Sequence, residues 1–157
     1  YYGPYEMRLV AKDNGSLSSW DFVSNGDTPI SLEILSKFMQ PFAMAFYYPC
    51  KDVSKIKQWN KKYNWTEDEY GDISLNGDFK VIDNTKDRVY IKNDVSFYMP
   101  ITKGLLSLNF LETNGRLISK YLINKNYSKI EYLKGNLSLY VMMGNEKVSL
   151  LFDIFKN

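Results

Sequence analysis

Residues 73–82 have the sequence ISLNGDFKVI, and the alternation of apolar and polar side chains in this segment predicts β-structure. Apolar residues recur at every second position on both sides of the central Asn76-Gly77-Asp78. Asn-Gly favours the type I′ turn, because both central residues of that turn need positive φ. The segment therefore predicts a hairpin in which 73–75 pairs with 79–82.

The same alternation continues to the end of the chain. Further strands are predicted over 88–92, 95–101, 105–112, 116–123, 137–143 and 147–155, with an additional candidate over 127–133. Turns are predicted at Thr113-Asn114-Gly115 and at Gly144-Asn145-Glu146. Short strands at this spacing favour an antiparallel arrangement, so the expected fold is mainly β, a β-sandwich or barrel of about 8–10 strands.

The N-terminal half contributes three more predicted strands. Residues 6–12 and 17–23 alternate on either side of a polar turn and predict a first hairpin. Residues 42–48 form a continuous apolar and aromatic run between Pro41 and Pro49, which predicts a buried strand.

One or two short helices are also predicted in this half. Thr28 as the cap and Pro29 at the first helical position predict a helix over 29–40, although alternate apolar residues there also fit a strand. A second helix is predicted over 52–63, where apolar residues recur at helical spacing and lysines occupy the other face.

Length and charge limit the organisation and the partners. A chain of 157 residues fits a single domain over 1–157, with an aromatic and Lys-rich helical insertion at 41–72. The net charge is only +2, and the lysines and arginines are spread along the sequence. Because nucleic-acid binders usually carry a strong basic bias, no nucleic-acid partner is expected.

The residue types argue against several enzyme classes. The chain has no histidine, which excludes self-contained Ser-His-Asp and Cys-His systems and His-ligated zinc. Cys50 is the only cysteine, so neither an intrachain disulfide nor a zinc site built from cysteines is available. No catalytic residue, metal site or cofactor is predicted, and the expected protein is not an enzyme; a carboxylate-based hydrolase stays open.

The candidate binding residues gather in the 41–72 segment. Tyr and Trp combine a flat apolar ring with a polar group, which suits both protein interfaces and sugar stacking. Acidic residues of the same segment add charge. The candidates are Tyr47, Tyr48, Trp59, Tyr63, Trp65, Glu67, Asp68, Glu69 and Tyr70. Trp65 and Tyr70 are expected to be the most exposed, because the residues between them are polar.

The order of elements resembles the outer-membrane lipoprotein of type VI secretion systems. The resemblance rests on an opening strand at 5–12, the segment GDTPISLEIL at 26–35 and a closing hairpin at 139–151. That family is a β-sandwich with an added helical element, anchored by an N-terminal lipid and bound through a loop to an inner-membrane core subunit. The resemblance implies that 30–35 is a strand.

The expected function is therefore protein binding. The chain starts at Tyr1 instead of Met, and we expect an exported protein, periplasmic or associated with the outer membrane; a cytoplasmic location is the alternative. The expected role is a non-enzymatic, envelope-associated module of a bacterial secretion or surface assembly, reaching the membrane only through an upstream lipid anchor. The alternatives are a carbohydrate-binding module with exposed Tyr or Trp and a small toxin-neutralising or inhibitory protein.

Overall fold

The structure is a computed structural model that describes residues 5–11, 17–24, 55–68, 71–103, 110–127 and 129–156. The chain divides into two compact units, Tyr1–Asp52 and Val53–Asn157. The expected single domain stays a prediction. The helix expected over 29–40 and the strand expected over 42–48 lie outside the described residues.

The first unit contains the predicted N-terminal hairpin. Strand β1 (Tyr5–Ala11) pairs antiparallel with β2 (Leu17–Ser24), and the register shifts near the end of β1. The hairpin prediction is therefore confirmed.

The second unit contains a six-stranded antiparallel sheet. Its strands are β3 (Gln58–Glu67), β4 (Gly71–Asn84), β5 (Arg88–Pro100), β6 (Glu112–Asn124), β7 (Lys129–Met143) and β8 (Glu146–Lys156). The order in the sheet is the order in the chain, so each strand pairs with the next one as a meander. The prediction of a mainly β, antiparallel fold is confirmed, and no helix occurs in the described ranges.

One face of this sheet is buried and forms the core. In β6, every second residue from Thr113 to Ile123 is buried. Val95, Leu117 and Leu137 lie opposite one another on adjacent strands, and each is at most 1% exposed. Because burial of one such side chain stabilises a fold by about 1.5–3 kcal/mol, the alternation fixes which face of each strand turns inward.

The hairpin predicted around Asn76-Gly77 is wrong, since β4 runs straight through these residues. The strand pairs on both sides, with Gly77 opposite Lys61 on β3 and opposite Val95 on β5. A Cβ atom at Gly77 would lie 2.7 Å from the ring of Phe79. Position 77 therefore requires glycine because the Phe79 ring covers the backbone there. Pairing of β4 with both neighbouring strands outweighs the preference of Asn-Gly for a turn.

Other predicted breaks are absent for the same reason. Residues 113–115 lie within β6, and the predicted pairs of short strands over 88–101 and 127–143 are the single long strands β5 and β7. Of the strand predicted over 105–112, only Glu112 is described as strand. The turn at Gly144-Asn145 is confirmed, and Gly144 has a φ of 59°, which glycine tolerates.

The helix predicted over 52–63 is also wrong, because 58–63 belongs to β3. Trp59 and Tyr63 have helical spacing, but as residues of a strand they also lie on one face, with Asn60 and Lys62 on the other. On the sheet, Trp59 lies opposite Phe79, and their rings stack with centroids 5.1 Å apart. The described part of the predicted 41–72 helical insertion therefore contains the strand β3 at the end of the sheet. Packing against a neighbouring strand outweighs the local preference for a helix.

Substitution of Gly135 tests the packing between β6 and β7. A Cβ atom at this position would lie 2.5 Å from Cβ of Ser119 and 2.7 Å from the carbonyl oxygen of Ile118. Gly135→Ala should lower the free energy of unfolding by about 1–3 kcal/mol, measured by urea denaturation. Gly144→Asn is the control, because a Cβ there meets no atom and Asn tolerates positive φ. Equal unfolding midpoints for Gly135→Ala and the unsubstituted chain would contradict this packing.

Candidate functional site

The face of the six-stranded sheet opposite the core is polar, and we call it the polar face. Its side chains come from the positions between the buried ones. Because neighbouring strands are paired residue by residue, one side chain from each strand contributes to a row that runs across the sheet. The chemistry of the face is therefore set by which residues share a row.

Four lysines occupy one such row. Lys80 on β4 lies opposite Lys92 on β5, Lys92 lies opposite Lys120 on β6, and Lys120 lies opposite Lys134 on β7. All four are exposed. With strands about 4.8 Å apart, this lysine row is about 14 Å long. In the described part of the chain, none of its ammonium groups forms a hydrogen bond or an ion pair.

The next row toward the β7–β8 turn contains carboxylates, and we call it the aspartate row. It consists of Asp78, Asp94, Ile118, Asn136 and Asp153. The three carboxylates bind donors other than the lysines. Asn60 donates to Asp78 at 2.9 Å, and Asn136 donates to Asp153 at 2.6 Å. The two rows thus lie side by side with opposite charge, and no ion pair joins them in the described ranges.

Arg116 holds the central carboxylate of the aspartate row. Its Nε and Nη2 donate to the two oxygens of Asp94 at 2.8 and 2.6 Å. This bidentate hydrogen bonding lowers the pKa of Asp94 against the opposing effect of burial, and the charges of Arg116 and Lys92 lower it further. Asp94 therefore stays ionised, and the charge of Arg116 is paired with a carboxylate of the aspartate row.

Aromatic side chains flank the lysine row on its other side. Tyr90 lies opposite Leu122, and Leu122 lies opposite Tyr132. The two tyrosine rings meet edge to face with centroids 6.5 Å apart, and both residues are half-buried. These rings pack against each other and do not form a flat stacking surface.

A shallow polar groove lies at the β3–β5 end of the face. Its volume is about 280 Å³, and it is lined by Lys62, Asn64, Ser74, Leu75, Asn76, Ser96, Phe97 and Tyr98. The Tyr98 side chain is 43% exposed, and its hydroxyl donates to Glu112 at 3.2 Å. Partial burial, with this hydrogen bond, raises the pKa of Tyr98. Tyr98 is therefore neutral. Because the groove is shallow, the face suits a macromolecular partner better than a small molecule that needs an enclosed pocket.

The sequence candidates that the structure describes lie outside the lysine and aspartate rows. Trp59, Tyr63 and Trp65 on β3 are half-buried and pair with residues of β4 that lie on the core face. Trp65, expected to be exposed, lies opposite the buried Ile73. Asp68 is exposed just after β3. Tyr47, Tyr48, Glu69, Tyr70 and the side chain of Glu67 lie outside what the structure describes.

Sequence reasoning missed the lysine row. Its members are 12, 28 and 14 residues apart, so no cluster is visible along the chain. Their alternation with apolar neighbours predicts that each is exposed, but only the register between strands shows that they are adjacent. Lysines that are far apart in the sequence are therefore adjacent on the surface of the sheet.

No protein-family model, curated protein or solved structure matches the chain. Within the described ranges, no three His, Cys, Asp or Glu residues come together in a way that would hold a metal ion. The same ranges contain no helix with the length and apolarity needed to cross a membrane. The polar face is thus the surface from which function has to be inferred.

Acidification tests the pair formed by Asp94 and Arg116. Because the pKa of Asp94 is lowered by folding, the pair stabilises the fold above the unfolded-state pKa of about 3.9, and this contribution is lost as the pH falls through the lowered pKa. Both side chains are well exposed, 41% and 59%, so the effect is small. Asp94→Asn should reduce the urea midpoint near neutral pH and leave it unchanged in strong acid.

Asp68→Asn is the matched control for the loss of one negative charge, since Asp68 is exposed and lies off the polar-face rows. The same decrease in urea midpoint for Asp94→Asn at neutral and strongly acidic pH would show that the ion pair is not its cause.

Proposed function

We propose that this protein is a non-enzymatic protein–protein interaction module that binds an acidic partner protein on the polar face. The observation that carries the proposal is the lysine row, in which four exposed ammonium groups lie side by side with no hydrogen bond or ion pair to a carboxylate of the described residues. Carboxylates of a partner protein would supply the missing negative charge.

The charge arrangement favours binding on physical grounds. Like charges directly opposite each other on adjacent strands destabilise a sheet. Two unit charges 4 Å apart interact in water with about 1 kcal/mol, so the repulsion is modest and the long side chains relieve part of it by spreading. A partner that places carboxylates between the lysines removes this repulsion and gains attraction, and the field of the row also speeds encounter.

The aspartate row makes a protein the fitting partner class. A nucleic acid carries negative charge along its whole length and would meet Asp78, Asp94 and Asp153 beside the lysines. A protein surface can present carboxylates to the lysine row and basic groups to the aspartate row. The half-buried Tyr90 and Tyr132 rings beside the lysine row pack against each other edge to face, so these two rings form no platform for stacked bases.

We also propose the finer architecture and location that the family resemblance implies. The buried face of the six-stranded sheet supports a layered, sandwich-type fold, because an apolar sheet face is stable only when another layer covers it. The protein would act in the bacterial envelope as a lipoprotein component of a secretion or surface assembly, where the polar face would meet its partner.

Binding of a fluorescein-labelled oligoglutamate peptide tests the acidic-partner proposal. Lys92→Gln/Lys120→Gln removes the two central charges of the row, and both side chains are exposed, so folding should be unaffected. We expect the dissociation constant measured by fluorescence anisotropy to rise about fivefold to tenfold, because each exposed ion pair contributes modestly. The affinity of the unsubstituted chain should fall with added salt.

The matched control is Lys86→Gln/Lys103→Gln, which removes the same charge from two exposed lysines outside the strands. Its dissociation constant should change less than about twofold. An equal loss of affinity for oligoglutamate in the two double variants would show that only the net charge matters and would contradict binding at the lysine row. Tighter binding of an oligothymidylate with the same number of charges would move the partner class to nucleic acid.

A further inference from the structure

Strand β8 ends the sheet and has one partner strand, β7, among the described residues. The two-residue turn at Gly144-Asn145 makes Met143 and Glu146 the first pair that exchanges backbone hydrogen bonds. Pairs of this kind recur at every second residue, so the even-numbered residues of β8 bond to β7. The backbone N–H and C=O groups of the odd-numbered residues, from Lys147 to Phe155, point out from the sheet edge.

Within the described residues, β8 itself has little of the usual protection of an edge strand against pairing. Edge strands are normally shortened, bulged or interrupted by proline or charge. Strand β8 pairs with β7 over 11 residues without a register shift, contains no proline and carries no charge over 148–152. Leu151 is 79% exposed and Phe155 is 73% exposed. An apolar side chain is therefore presented to solvent in the middle of an edge that can accept another strand.

We propose that β8 pairs antiparallel with β8 of a second copy of this chain, about a twofold axis at Leu151. In this register Leu151 lies opposite its own counterpart. Residues with outward hydrogen-bonding groups then meet residues of the same kind, as an antiparallel ladder requires. The two sheets join into one continuous sheet with both polar faces on the same side.

Charge and hydrophobicity both select this register. Glu146 of each copy lies opposite Lys156 of the other, so an ion pair closes each end of the interface. Between them, Val148 lies opposite Ile154 of the second copy. Lys147, whose ammonium group lies over the Tyr140 ring of β7, is opposite Phe155 of the second copy.

Neighbouring registers that keep the hydrogen bonds lose both pairs of Glu146 with Lys156. A shift in one direction pairs Lys147 with Asp153 but places Glu146 opposite Ile154. A shift in the other direction places Val148 opposite Lys156. Each pairs a charge with an aliphatic side chain on the half-buried side of the strand. The alignment about Leu151 is therefore the one in which both ends of β8 close with a Glu146–Lys156 pair, and this self-complementarity commits the occupant of the edge to a second copy.

A charge-exchange experiment tests both the partner and the register. Glu146→Lys alone and Lys156→Glu alone place like charges at both ends, and each should weaken dimerisation about tenfold in sedimentation velocity. An equimolar mixture of the two variants restores both ion pairs and should form a heterodimer, detectable by native mass spectrometry. A mixture that dimerises no better than the single variants would overturn the register.

Leu151→Lys tests the edge itself. Because Leu151 is mostly exposed, the variant should fold with an unchanged circular dichroism spectrum but remain monomeric. Ile82→Lys is the control: Ile82 is 47% exposed on β4, away from this edge, and its substitution should leave the dimer intact. An unsubstituted chain that stays monomeric at high concentration would overturn the proposal. The lysine row lies on β4 to β7, so Leu151→Lys should still bind oligoglutamate, and the two proposals can fail separately.

Discussion

The register of the antiparallel meander is the constraint on which the rest of this structure depends. A buried polar contact between adjacent strands helps to fix it: the side-chain oxygen of Asn93 accepts a hydrogen bond from the backbone N–H of Ser119 at 3.0 Å. Gly135 lies opposite Ser119 on the next strand and leaves the room that this contact needs. A slip by one residue would break the contact, bury lysines and expose the apolar core.

The register that builds the core also builds the polar face. Lys80, Lys92, Lys120 and Lys134 are adjacent only because the apolar residues around them pair across the same strands. Core packing is non-directional but strong in sum, and it outweighs the modest repulsion between exposed lysines. The apolar face of the sheet therefore provides the stability, while the polar face presents a defined pattern of charges for recognition.

The end of the sheet at β8 connects this surface to assembly. A meander leaves two edge strands, and the apolar β8 edge is where the proposed second copy pairs. Since such pairing places both polar faces on one side, a dimer would present two lysine rows to the same partner surface. Two linked weak sites bind more tightly than one, because the second contact forms at a high effective concentration. Modest attraction at each exposed row would then suffice for useful affinity.

The sequence by itself determined the mainly β class, the N-terminal hairpin and the turn at Gly144-Asn145. Its alternation also assigned exposed residues such as Lys80 to one face of the sheet and buried residues such as Leu117 to the other. These are local properties, set by side-chain period and turn chemistry. Only the tertiary structure decided that β4 continues through Gly77, that 58–63 is strand instead of helix and that four distant lysines share a row. Such features depend on pairing between strands, whose register is a non-local outcome of packing.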